Sequence, residues 1–229
     1  MFDIHRIKPV HGWREFFGEI GIIVIGVFIA LSAEQMVELA QWKEQIEAAR
    51  ISLDDQISDN LFAAKERLQF TACSERQLNR LSEIVDKSWE APKLRPTMVL
   101  LRDWASTAWA AAVASGVVAH MPEPLRKNYA AIFGTAEIIR SLNQQEFFLW
   151  SDLQTLHRQT VLTDVSRDRL QSDIARLSAL NNLIAIASRQ MVNLIDAAHI
   201  ASKVSDLKML NGEAHQKCLL PDDEHIIGR

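Results

Sequence analysis

The sequence predicts an all-α protein in which one N-terminal transmembrane helix continues into a long helix that packs in a helical bundle. Near the start of the chain, the run Ile20–Ala33 is apolar and carries no charge. Residues 27–91 then contain neither glycine nor proline, and apolar positions recur at helical spacing through much of the remainder. No segment shows the alternation of apolar and polar side chains that is typical of a half-buried strand.

The apolar run is best explained as part of a membrane span. Alone it would cover about 21 Å as a helix, less than the ~30 Å hydrocarbon core of a bilayer, but apolar residues extend it on both sides. Trp13 and Trp42 are 29 residues apart, or ~43 Å along a helix, which matches the distance between the two interfaces where tryptophan is favoured. We therefore predict a transmembrane helix at 16–41, with Trp13 and Trp42 as membrane-interface anchors.

Two alternatives to a membrane span remain open. A buried core helix would also be apolar, although it would rarely carry tryptophan at both of these ends. A cleaved signal peptide is compatible with the basic start and with the small residues Ala30, Ser32 and Ala33. Against cleavage, the helical pattern continues through this point without a glycine or proline to interrupt it.

One face of the predicted span carries small side chains. At 100° per residue, a packing face forms from Glu19, Ile22, Gly26, Ala30 and Ala33. Small residues allow two helices to approach closely in lipid, so this face predicts a homo-oligomer or docking on another membrane protein. The alternative is that glycine and alanine are simply common in spans and that the glutamate lies near the headgroups.

The basic residues around the span indicate its orientation. Arg6, Lys8 and Arg14 precede it, whereas Lys43 and Arg50 are the first to follow. Because cytoplasmic flanks carry more lysine and arginine, the excess favours a cytoplasmic N-terminus. The helical domain would then lie outside, which in a bacterium means the periplasm above the inner membrane, with the lipid bilayer as one partner.

We divide the chain into a short N-terminal segment at 1–15, the span at 16–41, a helical domain at 42–211 and a loosely held tail at 212–229. The first helix carries an apolar stripe, with a bend allowed near Phe70–Ser74 where the stripe weakens. The stripe comprises Ile46, Leu53, Ile57, Leu61, Ala64, Leu68, Leu78, Leu81 and Val85. Pro92 and Pro96 mark a loop at Glu90–Thr97, and a second helix is expected from about Met98 to Ser115, ended by Gly116.

Three further helix starts are predicted. Pro124 suits the first turn of one helix, and Asn143 with Glu146 has the spacing of a capping box that would open another, ending near Thr160. Thr163 or Asp164 would cap the last helix. Its heptad, interrupted by Asn181 and Ser188, comprises Leu170, Ile174, Leu177, Ile184, Met191, Ile195 and Ala198.

No catalytic motif, cofactor-binding loop or convincing metal site is found, so we do not predict an enzyme or a cofactor. The nearest metal pattern, His215 and Cys218 with His225, lacks a second pair of ligands. The two cysteines, Cys73 and Cys218, could form one disulfide in a periplasmic domain. With a net charge of −4 and no dense basic cluster, the composition speaks against a nucleic-acid partner.

Two stretches are similar to a known family. The first contains Gly18–Ile20 and Ile25–Leu31, and the second contains Trp109–Gly116 followed by Pro124–Tyr129. Together they resemble an uncharacterised bacterial family of single-span membrane proteins, a domain of unknown function with a G-E-I…I-G…I-A-L transmembrane signature. The resemblance implies a membrane anchor, a helical domain and a bacterial source, and it implies no reaction.

The leading hypothesis from sequence is a membrane-anchored interaction or scaffold protein that associates with itself through its span and long helix. The alternative is a periplasmic helical-bundle sensor or ligand-binding module that acts through a partner protein. A buried pocket lined by Trp104, Trp109 or Trp150 would favour the alternative.

Overall fold

The computed structural model describes residues 12–91, 101–155 and 161–200. In these ranges the chain forms helices α1 (Trp13–Lys87), α2 (Thr107–Ala114), α3 (Val117–His120), α4 (Glu123–Thr155) and α5 (Asp164–Ala197). The β pairing found there is a single antiparallel bridge between Glu90 and Val161. The predicted all-α fold class is confirmed. The predicted tail at 212–229 lies outside the described residues.

Helix α1 is 75 residues long. It is helical through Phe70–Ser74, where the sequence allowed a bend, because residues 27–91 contain no proline to remove a backbone hydrogen bond and no glycine to weaken the helix. The chain divides into two compact units, Met1–Glu47 and Ala48–Arg229. The second unit holds the helical bundle.

Polar contacts define the directions of the bundle helices. Tyr129 of α4 bonds to Asp54 of α1, and further along both helices Glu146 bonds to Arg67, so α4 runs parallel to this part of α1. Along α1, Thr71 bonds to Asn181 of α5, and the later residue Glu75 bonds to the earlier residue Ser178. Helix α5 therefore runs antiparallel to α1. The connection from α1 to α4 must therefore return the chain to the start of the bundle.

The core consists of the inward faces of α1, α4 and α5. The predicted stripe of α1 is buried at Leu53, Ile57 and Leu61, and its later positions join a cluster between the three helices. That cluster comprises Leu78, Leu81, Val85, Trp150, Leu153, Leu162, Leu170, Ile174 and Leu177. Burying a side chain of this size stabilises the fold by about 1.5–3 kcal/mol.

The predicted second helix is too long at its start. Residues 101–106 are not helical, and α2 begins only at Thr107; Met98 lies outside the described residues. Side chains from other elements hold this segment in a non-helical path: Asn60 donates to the carbonyl of Ala105, and Arg140 donates to the carbonyl of Trp104. These tertiary bonds replace the hydrogen bonds that a helix would supply.

Gly116 ends α2 as predicted. Its φ of 79° lies in the left-handed region, where glycine pays no Cβ penalty. The short helix α3 follows directly and was not predicted. Pro124 then occupies the first turn of α4, where its missing N–H costs no helical hydrogen bond.

The capping box predicted at Asn143 and Glu146 is wrong. Helix α4 is continuous from Glu123 to Thr155, and both residues are buried in its middle, each 2% exposed. Their side chains bond to each other and to other elements instead of to a helix start. The predicted end near Thr160 lies outside the described residues.

The start of α5 is confirmed. The Thr163 hydroxyl accepts from the Ser166 amide at 3.2 Å, while the Ser166 hydroxyl accepts from the Thr163 amide, forming a reciprocal capping box. Six of the seven predicted heptad positions are buried, Leu170 and Ile184 fully, whereas Ala198 follows the end of α5 and is only partly buried. Asn181 and Ser188, which interrupt the heptad, are also fully buried.

Candidate functional site: the apolar stretch of α1 and the buried polar layer

The apolar stretch of α1 is exposed among the residues that the structure describes. Its most apolar window of 18 residues has a mean hydropathy of 2.3, and none of that window is buried. The exposed large side chains include Ile22 at 73%, Ile23 at 65% and Phe28 at 66%. Contiguous apolar surface of this extent is unfavourable in water and is typical of surfaces that contact lipid or another protein. The helix is long and apolar enough here to cross a membrane.

The residues of the predicted packing face are all exposed within the chain. Glu19, Gly26, Ala30 and Ala33 are exposed, as is Ile22. A methyl group added at Gly26 would meet no other atom within 4 Å. Among the described residues, the space beside Gly26 is therefore open, and a Cβ added there meets no steric obstacle.

The two predicted interface anchors differ in their surroundings. Trp13 is 77% exposed and lies against Phe16 and Phe17, with ring centroids 6.4 and 5.8 Å away. Trp42 is partly buried, and its indole N–H donates to Glu38 at 3.3 Å. Trp42 thus has the polar partner that an interfacial indole needs, whereas the contacts described for Trp13 are with two phenylalanine rings.

The bundle contains a polar layer that the sequence did not predict. Arg67 of α1 is 1% exposed, and its guanidinium donates two hydrogen bonds to the Glu146 carboxylate of α4, at 2.9 and 2.7 Å. The same guanidinium donates to Asn181 of α5 at 3.0 Å. One buried side chain thereby joins all three bundle helices.

Other polar side chains extend this layer in both directions. Asn181 donates to the carbonyl of Thr71 and to the Glu75 carboxylate. On the other side, Asn143 donates to Glu146 at 3.1 Å and accepts from the Trp104 indole at 3.3 Å. We call Arg67, Asn143, Glu146 and Asn181 the polar layer.

Geometry and burial explain what the polar layer does. A buried ion pair adds little net stability over apolar packing, but each charge needs its partner because neither can reach water. A buried polar group also disfavours alternative helix registers, in which it would lose that partner. The Nε of Arg67 has no hydrogen-bond partner among the described residues. We read the layer as a device that fixes the arrangement of α1, α4 and α5.

A weak signal for the polar layer exists in the sequence. The predicted stripe on α1 passes from Ala64 to Leu68, yet the structure buries Arg67 and leaves Leu68 only partly buried. Arg67 and Leu68 lie three and four residues after Ala64, so either could continue the buried face of the helix. Hydrophobicity alone predicts that Leu68 is the buried one. The partners of Arg67 lie 79 and 114 residues away, where no local pattern could identify them.

Tyr129, the only tyrosine of the chain, lies in a second polar contact of the bundle. It is 1% exposed, and its hydroxyl donates to Asp54 at 2.6 Å. Burial raises the pKa of Tyr129 above its ordinary value, the hydrogen bond and negative charge of Asp54 raise it further, and Arg50 acts in the opposite direction.

We expect Tyr129 to stay protonated in the folded chain at about pH 11, where a free tyrosine would ionise. Because the folded pKa is raised, the linked stability is fully present below about pH 10 and is lost as the pH rises above it. Ultraviolet titration of tyrosinate checks this, since one residue gives the whole signal. Asp54→Asn should lower the midpoint, and a folded chain titrating near pH 10 would contradict the expectation.

The predicted disulfide involves one described cysteine. Cys73 is 5% exposed and is not a free thiol. Cys218 lies outside the described residues, as do His215 and His225, so the pairing stays a prediction. Among the described residues, no group of three or more histidine, cysteine or acidic side chains could hold a metal ion.

The comparisons with known proteins add no relative. No family model, curated protein or solved structure matches the chain. The resemblance to a bacterial family of single-span proteins therefore stays a prediction.

Proposed function

We propose that this chain is a membrane-anchored interaction or scaffold protein. The apolar stretch of α1 lies in the bacterial inner membrane, with the N-terminus in the cytoplasm and the helical domain in the periplasm. The chain associates with itself through the packing face of α1. One observation carries the proposal: none of the apolar window of α1 is buried in the part of the chain that the structure describes. A soluble helix of this hydropathy would need a cover, which lipid supplies here.

The bundle also favours an interaction protein over a ligand-binding module. The tryptophans that could line a ligand pocket are engaged in packing and hydrogen bonding. Trp104 is 1% exposed and bonded to Asn143, Trp150 belongs to the apolar core, and Trp109 stacks on Phe133 with centroids 5.9 Å apart. These three indoles therefore contribute to the stability of the fold through packing and hydrogen bonding, which is a structural role and not that of a pocket lining.

Fractionation of cells that express the full chain tests the anchor. We expect the intact chain to stay in the membrane after an alkaline carbonate wash and to require detergent for release. A tag at the C-terminus should be accessible to a protease added outside the inner membrane. An uncleaved chain that is soluble and monomeric without detergent would overturn the proposal, and a protected tag would reverse the orientation.

Self-association is tested by a matched pair of glycine substitutions. Gly26→Ile places a branched side chain on the packing face, whereas Gly21→Ile adds the same atoms about 140° away around α1. Neither new Cβ meets an atom of the chain within 4 Å, so both variants should fold. We expect Gly26→Ile to weaken association about tenfold, or ~1.4 kcal/mol, because the helices can no longer approach closely.

Crosslinking in native membranes measures this difference. Gly21→Ile should give the same crosslinked dimer fraction as the unsubstituted chain. Equal fractions for both variants, or monomer alone in the unsubstituted chain, would contradict association through the packing face.

A further inference from the structure

The outer surfaces of α4 and α5 carry little charge. Among the exposed side chains of 128–151 in α4, one is charged, Glu137. Among those of 177–195 in α5, one is charged as well, Arg189. Large apolar side chains are exposed on the same helices, namely Ile138 and Phe148 on α4 and Leu183 and Ile186 on α5. Apolar surface that is depleted of charge is typical of the centre of a contact between proteins.

These apolar side chains lie on a side of the α4–α5 pair that is exposed among the described residues. On α4, Ile138 lies about 160° around the helix from Arg140, which bonds to the segment 101–106. On α5, Leu183 lies about 160° from Asn181, which bonds to α1. We call this side the α4–α5 face, with Gly134, Ile138 and Phe148 on α4 and Ala179, Leu183 and Ile186 on α5.

The buried Arg67 fixes the register between α4 and α5. Its guanidinium bonds to both Glu146 and Asn181, so these two residues are level along the bundle. Because the two helices run in opposite directions, each step back from Glu146 in α4 matches one step forward from Asn181 in α5. Ile138 is therefore level with Arg189.

We propose that a second copy of this chain covers the α4–α5 face, so that α4 of each copy packs against α5 of the other in an antiparallel four-helix arrangement. A two-fold axis parallel to the helices keeps equal levels together, and the contact closes on itself as a dimer. This contact is additional to the packing face of α1 and does not depend on it.

Opposite charges meet in this arrangement. Glu137 and Arg189 lie within one residue of the same level, so each Glu137 faces the Arg189 of the other copy. The Glu137 side chain bonds to Arg140 and Ser106 of its own chain, yet it is 51% exposed and can accept a further hydrogen bond. Parallel contact of α4 with α4 would instead oppose two glutamates, and parallel contact of α5 with α5 would oppose two arginines. Charge complementarity therefore favours α4 against α5.

The sizes of the side chains also match. An open depression on α5 is lined by Ile186, Arg189, Gln190, Asn193 and Leu194. The first four have the spacing of a hole that a side chain of a facing helix fills. The middle of this hole is level with Ile138, so Ile138 of the other copy lies opposite it. By the same register, Phe148 is level with Ala179, which places a large side chain opposite a small one.

Photocrosslinking tests this geometry, with p-benzoylphenylalanine in place of Ile138 in the full chain in native membranes. We expect a crosslinked dimer in which residue 138 is joined to α5 of the other copy. Ile51 of α1 is the matched control position, because it is 59% exposed where Ile138 is 57% exposed, and it should give no dimer. No dimer through residue 138, a dimer that joins α4 to α4, or a crosslink to a different protein would overturn the proposal.

Charge reversal tests the ion pairs between copies. Glu137→Arg and Arg189→Glu each place like charges at both contacts, and each should lower the crosslinked dimer fraction about tenfold. Co-expression of the two single variants with different tags should restore a mixed dimer, because both of its contacts then pair an arginine with a glutamate. An effect within one chain would not be restored in this way, so failure of the mixed dimer to form would contradict the contact.

The Gly26→Ile background separates this contact from association through the packing face. We expect the dimer joined through residue 138 to persist there, and Ile138→Arg to remove it while Ile51→Arg does not. Loss of the dimer in Gly26→Ile alone would overturn the independence of the α4–α5 face. Retention of these variants after the carbonate wash is measured separately, so failure of this contact is distinguishable from failure of the membrane anchor.

Discussion

Arg67→Ala is expected to lower the free energy of unfolding of the bundle by about 3–5 kcal/mol. The loss arises because Glu146 would remain 2% exposed with its charge uncompensated, and Asn181 would lose its donor. This is a large fraction of the stability of an ordinary domain. Urea unfolding of the detergent-solubilised chain, followed by tryptophan fluorescence, measures the change.

Two control variants distinguish the loss of a buried ion pair from the loss of an ion pair at the surface. Lys127→Ala breaks an ion pair with Glu123 whose side chains are 72% and 63% exposed, and it should cost no more than ~0.5 kcal/mol. Replacing both members of the buried pair, as Arg67→Met with Glu146→Leu, should cost less than Arg67→Ala because no charge is left alone. Equal losses for Arg67→Ala and Lys127→Ala would refute the role assigned to the polar layer.

The polar layer could not be predicted from the sequence. Helical periodicity identified the elements that are buried along one face, and it placed Leu53, Ile57 and Leu170 in the core correctly. It could not assign partners to a buried charge, because those partners are distant in sequence. Asn143 and Glu146 illustrate the same limit: their spacing of three residues suits a helix start and equally suits one face of a continuous helix.

The apolar stretch of α1 was more predictable. Its composition predicts an apolar surrounding, which either the chain itself or a bilayer would have to supply. Ile22 and Phe28 lie exposed, so the described residues do not supply it. The packing face follows from helix geometry, whereas its occupant depends on a second molecule and stays a prediction.

Trp104→Ala is expected to destabilise the bundle by about 3–5 kcal/mol, the usual cost of emptying a buried tryptophan site. Trp104 is 1% exposed in the non-helical segment 101–106. Its carbonyl accepts from Arg140 at 2.8 Å, and its indole donates to Asn143. The side chain therefore anchors a segment that has no helical hydrogen bonds of its own.

Trp104→Phe separates the contribution of the indole hydrogen bond from the contribution of the buried apolar volume. It keeps most of the apolar volume but removes the indole N–H, after which the Arg102 amide, at 3.5 Å, is the one described donor to the side-chain oxygen of Asn143. We expect a loss of about 1–2 kcal/mol. Urea unfolding of the two variants beside the unsubstituted chain, followed by circular dichroism because one fluorophore is removed, measures both losses.

Trp89→Ala is the matched control, since Trp89 is 52% exposed and its described ring contact is with Arg167, 4.2 Å from the ring centroid. Losing an exposed contact of this kind should cost about 0.5–1 kcal/mol. A loss for Trp104→Ala no larger than for Trp89→Ala would mean that the segment 101–106 is not held by its tryptophan. The non-helical path would then have to depend on the bonds from Asn60 and Arg140 alone, and Asn60→Ala would become the more damaging substitution.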